Sequence, residues 1–492
     1  MLEKIYSKTL DYINMIPKQD RKKHGQFFTE INIAKFMTKL FQESIKKETI
    51  SILDPGAGTG ILSCALIEEL ENNNNIKNIK LTCYEKDKNI INILSENLEE
   101  VKKNSCKNLE INIINDNYIL SQPFSLQDSS NNSNKYDLII SNPPYLKISS
   151  KEKEALHMKE ICYGAPNLYF LFASMSIYNL KNNGEMVYIM PRSWTSGAYF
   201  SKFREYMINN TKLLNIHLFS SREKVFKSEN ILQEIIIIRL KKTRENVRYI
   251  KITSSYSTDE LFNPKSIEVP YNVVVSNVNN YIFLPTNKKE INVLKKINKF
   301  QFTLPKLGLK MKTGLVVDFR NKNLLANNET KNTVPLIYSQ HIKNGKIKFP
   351  IGKENEYLKA GKKALLQKNE NYLIVKRFTS KEESRRIQCA MYLASDYPKY
   401  KYISTQNKIN FIVGENIEIT SNILYGLYVV FNSSFYDLYY RILNGSTQVN
   451  STEINSMPLP NLYDVSELGK KLAQYNELST VICDRILEEY YG

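Results

Sequence analysis

"ILDPGAGTGIL", residues 52–62, runs an apolar strand pattern into a glycine-rich turn and out again into a helix pattern. Glycines at 56, 58 and 60 let the backbone approach a ligand more closely than any Cβ would permit. Between a strand and a helix, such a turn is of the nucleotide-binding type. No Lys-Ser/Thr pair follows it, so it is not a phosphate-gripping loop. Asp54 leads into the turn, where a carboxylate repels a pyrophosphate and suits a ligand with cationic or amino groups. S-adenosylmethionine, which carries a sulfonium and an ammonium, is such a ligand.

Outward from this turn the chain alternates between two periodicities. Residues 50–54, 80–85, 109–115, 136–141 and 185–191 read as strands, and 61–71, 88–103 and 167–181 as helices, with helical spacing also at 31–47. That alternation predicts an α/β fold with a doubly wound, Rossmann-like parallel sheet. "LNIHLF" (214–219) and "ILQEIIIIRL" (231–240) are expected to complete it, the latter antiparallel at an edge. After about residue 250 the rhythm gives way to short strands, Tyr-rich segments and basic loops such as "KRFTSKEESRR" (376–386). Two domains are therefore expected, 1–250 and 251–492, the second α+β and closing with one helix at about 465–490.

Two further acids stand at strand ends. Glu85 ends the second strand, at the spacing where a carboxylate takes ribose hydroxyls in doubly wound folds. Asp116, just after the third, can accept from an adenine amino group. Each alone could equally cap a helix; three successive strands ending in an acid make a cofactor site the better reading.

"SNPPY" (141–145) follows the fourth strand. Pro143 and Pro144 each fix their own φ and give up a backbone donor, so the chain is stiff where Asn142 leaves the strand. An exocyclic amino nitrogen is a poor nucleophile because its lone pair is delocalised into the ring. The Asn142 side-chain oxygen and the Pro143 carbonyl, both accepting from that amino group, would free the lone pair. Tyr145 offers a face on which a purine can stack. Orientation and electrostatic stabilisation would then dominate catalysis, with no general base required.

Together these motifs resemble those of the gamma class of N6-adenine DNA methyltransferases, in which the cofactor motif precedes the catalytic one and a long C-terminal region follows. "HGQFFTE" (24–30) is similar to the family's motif ahead of the glycine turn, with Glu30 where proline is usual, and implies that Phe28 and Thr29 touch the cofactor. "NLYFLF" (167–172) and "VYIMPRSW" (187–194) resemble the next two motifs. "KVFKSENILQEIIIIRL" (224–240) resembles the segment whose aromatic stacks on the flipped adenine, which points to Phe226. "NGSTQVNSTEINSMPLP" (444–460) resembles the target-recognition regions of the PstI/BsuBI branch. The resemblance implies a type II modification methylase with a C-terminal DNA target-recognition domain, flipping an adenine of double-stranded DNA, with CTGCAG as the site and Gln448 as one candidate base reader. It further implies a monomer acting beside a separate restriction endonuclease. The rival from the motif alone is a methyltransferase of protein glutamine or of RNA bases, which usually lacks so long a basic C-terminal region.

Charge is consistent with a polyanionic partner. The 492 residues hold 68 Lys+Arg against 50 Asp+Glu, a net +18. Residues 1–250 hold 35 basic and 28 acidic side chains, and 251–492 hold 33 and 22, so the excess is denser in the second half. Six scattered cysteines without a C-x-x-C pair and four histidines without metal spacing predict neither a structural metal nor a disulfide framework. The first twenty residues lack an apolar signal core, and "ILQEIIIIRL" is too short and too interrupted to cross a bilayer. A cytoplasmic protein is expected.

Overall fold

In a computed structural model the described residues are 1–17, 28–41, 46–126, 135–219 and 234–491. The chain divides into two compact units, Met1–Asn287 and Lys288–Gly492.

The first unit is built on a nine-stranded sheet. Its strands are β1 (Thr49–Pro55), β2 (Asn78–Tyr84), β3 (Asn108–Ile114), β4 (Tyr136–Ser141), β5 (Leu180–Pro191), β6 (Lys212–Phe219), β7 (Ile235–Lys241), β8 (Tyr249–Ser255) and β9 (Lys265–Pro270). They lie in the order β3-β2-β1-β4-β5-β7-β6-β8-β9. From β3 to β5 every neighbouring pair is parallel. Such strands are covered on both faces, which is why most residues of β1 and β4 are buried, Asp54, Asp137 and Ser141 among them.

Six helices accompany the strands used here: α1 (Leu2–Met15), α2 (Ile31–Lys39), α3 (Ile61–Leu70), α4 (Lys88–Asn104), α5 (Lys153–His157) and α6 (Leu168–Asn179). One core joins Ile5 of α1, Ile33 of α2, Leu66 of α3 and Leu94 of α4 to Ile52, Leu81 and Ile140 of β1, β2 and β4. Each such fully buried aliphatic contributes roughly 1.5–3 kcal/mol. Asp87 starts α4 by accepting the amide of Asn89 at 3.0 Å.

From β1 the chain runs outward to β2 and β3, then returns to β4 on the other side of β1. Strand order therefore reverses between β1 and β4, and the crevice beyond their carboxyl ends is where such sheets bind ligands. Both motifs singled out from the sequence leave the sheet at this point.

Three expectations are corrected. β7 is antiparallel, but it lies between β5 and β6 rather than at an edge. Its four consecutive isoleucines are all buried, as a strand with neighbours on both sides requires. β8 and β9 extend the same sheet, so the chain divides at 287/288 and not at 250/251. The second unit, a mixed α/β body, ends in two helices, Leu462–Leu472 and Thr480–Tyr491, instead of one. Between them Ser479 takes the Ile482 amide on its hydroxyl at 3.4 Å and so begins the second helix afresh.

The second unit holds a six-stranded sheet, including Leu309–Thr313, Tyr372–Lys376 and Ile409–Gly414, and a five-stranded sheet, including Thr333–Ile337 and Tyr402–Thr405. Among the described residues no helix is long and apolar enough to cross a membrane.

Candidate active site

A cavity of about 550 Å³ opens at the β1/β4 crevice. Phe28, Thr29, Gly56, Gly58, Glu85, Asp116, Asn142 and Pro144 all line it. Eight residues predicted from separate stretches of the chain thus meet at one place.

The glycine turn is shaped by where its amides go. Gly56 N and Ala57 N both donate to the Tyr84 carbonyl at 2.8 Å, and Gly58 N donates to Glu85 Oε2 at 2.8 Å. Gly56 has a φ of +82° and Gly58 a φ of +56°. Both values lie in the left-handed region that favours glycine. These three donors are engaged within the protein and are not offered to a ligand.

Glu85 accepts the Asp87 amide at 2.8 Å through its other oxygen, and so clamps the turn to the end of β2. Burial pushes its carboxyl above the ordinary range, against these two amide bonds, which pull it down. Asp116 is exposed at the opposite rim and accepts the Asn117 amide at 2.6 Å.

Asp54 and Gly60, both predicted to touch the cofactor, do not line the cavity. Asp54 is 1% exposed, beneath the turn, where its Oδ2 takes the Ser63 hydroxyl at 2.7 Å. Burial, with Glu85 nearby, pushes its carboxyl up to about 7 in spite of that bond. Gly60 packs the turn on α4: a Cβ there would lie 2.8 Å from Leu94 Cδ1.

On the β4 side, Ser141 is buried and its hydroxyl donates to the Pro55 carbonyl at 2.9 Å, tying the end of β4 to the end of β1. Asn142 follows, its Nδ2 donating to Thr29 Oγ1 at 3.1 Å, which fixes the rotation of the amide. Pro143 is buried behind it and Pro144 faces the cavity. Tyr145 does not line the cavity; its hydroxyl donates to the Ile189 carbonyl at 3.2 Å and its ring meets Tyr169 edge-on at 6.2 Å. Burial keeps that hydroxyl protonated, with its acidity pushed well below the usual. Downstream, Leu168 N donates to the Leu146 carbonyl at 2.8 Å, bringing α6 against the stretch that follows β4. Phe226 lies outside the described residues.

A family model described as the Eco57I restriction-modification methylase matches residues 29–226. Over 481 residues the chain is 33% identical to the type II methyltransferase M.PstI of Providencia stuartii, spanning 95% of this chain and 93% of that one. Over 480 residues it is 34% identical to the type II methyltransferase M.BsuBI of Bacillus subtilis, spanning 94% and 93%. The chain belongs to the type II methyltransferases. This methyltransferase also shares its fold with a DrdV–DNA complex, with a TM-score of 0.51 at 15% identity over 94% of this chain and 58% of the other. The family methylates DNA in restriction–modification systems and takes its methyl group from S-adenosylmethionine.

The cavity of this methyltransferase fits that donor. Its walls carry Glu85, Asp87, Asp116 and Glu154 against Lys86 and Lys88, an acidic balance in a chain of net +18. The inward-turned amides and this surplus of carboxylates suit a cationic ligand rather than a polyphosphate. Tyr84, Tyr118 and Phe172 also line the cavity. Their ring centroids lie 5.2 Å apart from Tyr84 to Tyr118 and 5.4 Å apart from Tyr118 to Phe172. These rings add an aromatic wall for an adenine.

Sequence reasoning missed several members of the site. Asn117 donates to Glu154 Oε1 at 2.7 Å, and both line the cavity. Asp87, two residues after Glu85, was not singled out from the sequence, and it both caps α4 and lines the cavity. Ser141 is silent until its Pro55 partner is seen across the sheet. Glu30, where the family usually has proline, begins α2 and takes the Thr258 hydroxyl at 3.1 Å.

Proposed function

We propose that this methyltransferase acts on the N6 amino group of adenine in double-stranded DNA. The observation that carries the reading is the fixed amide of Asn142 at the cavity wall, held through Nδ2 by Thr29 and followed by two prolines. With Nδ2 bonded to Thr29, it is Oδ1 that offers lone pairs to a substrate amino group. Asn142 Oδ1 and the Pro143 carbonyl accept the two amino hydrogens and localise the nitrogen lone pair toward the cavity. Bound there, S-adenosylmethionine supplies the electrophilic methyl group. The spare proton leaves to solvent once the nitrogen has become tetravalent and acidic, so no side chain need act as base.

The target lies inside a duplex stack, so it must be flipped out at a cost of roughly a few kcal/mol. Tyr145 and Phe226 would sandwich the extruded ring. The second unit, Lys288–Gly492, acts as the target-recognition domain, and the site is CTGCAG, by resemblance to the PstI/BsuBI branch. The chain works as a monomer beside a separate cognate endonuclease.

Incubation with radiolabelled S-adenosylmethionine and unmethylated plasmid, followed by nucleoside analysis, tests the chemistry. Label in N6-methyladenine is expected; label confined to cytosine or to protein would overturn it. Modification-sensitive sequencing of the same plasmid tests the site, and sedimentation of the chain alone tests the monomer.

A further inference from the structure

Four loops of the second unit are stitched together backbone to backbone. Val316 N donates to Thr405 O at 2.9 Å and Asn407 N to Val316 O at 2.8 Å. Arg377 N donates to Lys408 O at 3.0 Å, Val449 N to Arg377 O at 2.7 Å and Thr379 N to Thr447 O at 3.1 Å. The contact at Gly314 is so close that a Cβ would lie 2.0 Å from the Gln406 carbonyl oxygen. Below them Asn410, fully buried, donates to Val449 O at 2.7 Å and takes the Thr313 hydroxyl at 3.1 Å. Arg386, also buried, donates to Ser446 O at 2.7 Å. Loops braced in this way present one shape.

What they display is unusual for solvated loops. Phe319 is 70% exposed and Phe378 40% exposed. Each carries its neighbour's guanidinium 5.4 Å from the ring centroid, Arg320 over Phe319 and Arg377 over Phe378. A cation so placed is drawn to the negative face of the ring. Arg377 also donates to the Asn407 carbonyl at 3.0 Å, which stiffens that pair. Arg320 and Lys408 are exposed and have no acidic partner among the described residues. Asp318, the one carboxylate in segments 314–322, 376–379, 405–408 and 446–449, is occupied by Gln406 Nε2 at 3.2 Å.

Gln448 completes the surface. Its backbone carbonyl takes Tyr440 Oη, Ser446 Oγ and Asn444 Nδ2 at 3.1–3.3 Å, and its own amide donates to Ser446 Oγ at 3.2 Å. Its side-chain amide makes no hydrogen bond among the described residues. A fixed backbone thus carries an uncommitted amide, the group that reads an adenine edge in two-pronged fashion.

We infer that these four loops form the surface that reads DNA. Arg320 and Lys408 neutralise phosphates, Phe319 and Phe378 meet the apolar edges of base pairs, and Gln448 reads a purine. Unpaired cations match the partner's charge, and DNA recognition explains both the exposed rings and the rigidity. The inference rests on the reading of the second unit as the target-recognition domain.

The test uses the full chain and short duplexes carrying the site that sequencing of methylated plasmid identifies. The double variant Arg320→Ala/Lys408→Ala is expected to bind with a logarithmic salt slope shallower by about 2, one per lost phosphate contact. Gln448→Ala is expected to keep the slope and to lose roughly tenfold or more of the preference for that site over singly substituted duplexes. Phe319→Ala should weaken binding to every duplex carrying the site. All variants should bind S-adenosylmethionine as the wild type does, measured by calorimetry, which establishes that they are folded. Variants with wild-type slope and wild-type sequence preference would overturn the assignment. Because the readout is binding, transfer of methyl to a base other than adenine would defeat the proposed chemistry and leave this surface intact.

Discussion

The turn after β1 and the stretch after β4 leave neighbouring parallel strands at the same edge of the sheet and solve opposite problems. The first makes room. At Gly56 and Gly58 the backbone takes left-handed φ values, turns its amides inward and offers a ligand no side chain to avoid. The second holds a side chain still. Ser141 anchors it to Pro55, Thr29 fixes the Asn142 amide, and Tyr145 is tied to Ile189. One half of the site is built by omission and the other by immobilisation, so the two should fail in different assays: the first in binding, the second in rate.

The largest effect is expected at Asn142. Asn142→Ala should lower the single-turnover methylation rate by about 10²–10³-fold or more while calorimetry finds cofactor affinity near wild type. A variant that kept its rate would remove the reason for distinguishing the two halves. Gly58→Ala reverses the pattern, because the new Cβ sits on a left-handed backbone. That strain, roughly 1–2 kcal/mol, lowers stability, while the added methyl group stands at the cavity wall, so cofactor binding should weaken about tenfold with little loss of rate at saturation. Gly60→Ala sharpens the contrast within the turn itself, because its Cβ meets Leu94 and not the cavity. It should lower stability in chemical denaturation by about 1–3 kcal/mol and spare cofactor affinity in the folded protein.

Asp54 tests the ground beneath the turn. Its carboxyl is raised from an ordinary 3.8 to about 7 on folding, so between those values the native state holds a proton that the unfolded chain has released. Its contribution to stability is therefore full at acid pH and fades as pH rises from about 4 to about 7. Asp54→Asn should flatten that part of a stability–pH profile followed by denaturant titration. Tyr145→Phe is expected to do least. It removes one hydrogen bond to Ile189, about 1 kcal/mol, and keeps the ring, so methylation should stay within a few-fold of wild type.

Much of this architecture was legible because it is local. The strand–turn–helix at 52–62, the alternation through 191 and the acids at strand ends are features of neighbouring residues, and the structure reproduces these elements with shifts of a few residues. What was not legible depends on distant partners. "IIII" at 235–238 declares a buried strand but not which strands flank it, and its insertion between β5 and β6 is a property of the whole sheet. Asp54 and Glu85 both stand at strand ends, yet Asp54 lies within β1, opposite Cys83, while Glu85 lies beyond the last residue of β2 and reaches the cavity, a difference of depth that only the pairing reveals. In the second unit, strands of two to six residues are too short to display a period, so their pairing appears only in three dimensions.

The inward-turned amides of the glycine turn have a consequence for the living cell. ATP carries the same adenosine as S-adenosylmethionine and differs chiefly in a polyanionic tail. Nucleotide-binding turns that point their amides outward welcome that tail; here Tyr84 and Glu85 have taken all three donors, and carboxylates stand around the opening. ATP is therefore expected to compete only weakly for this cavity, which displacement of bound S-adenosylmethionine by ATP in calorimetry would measure.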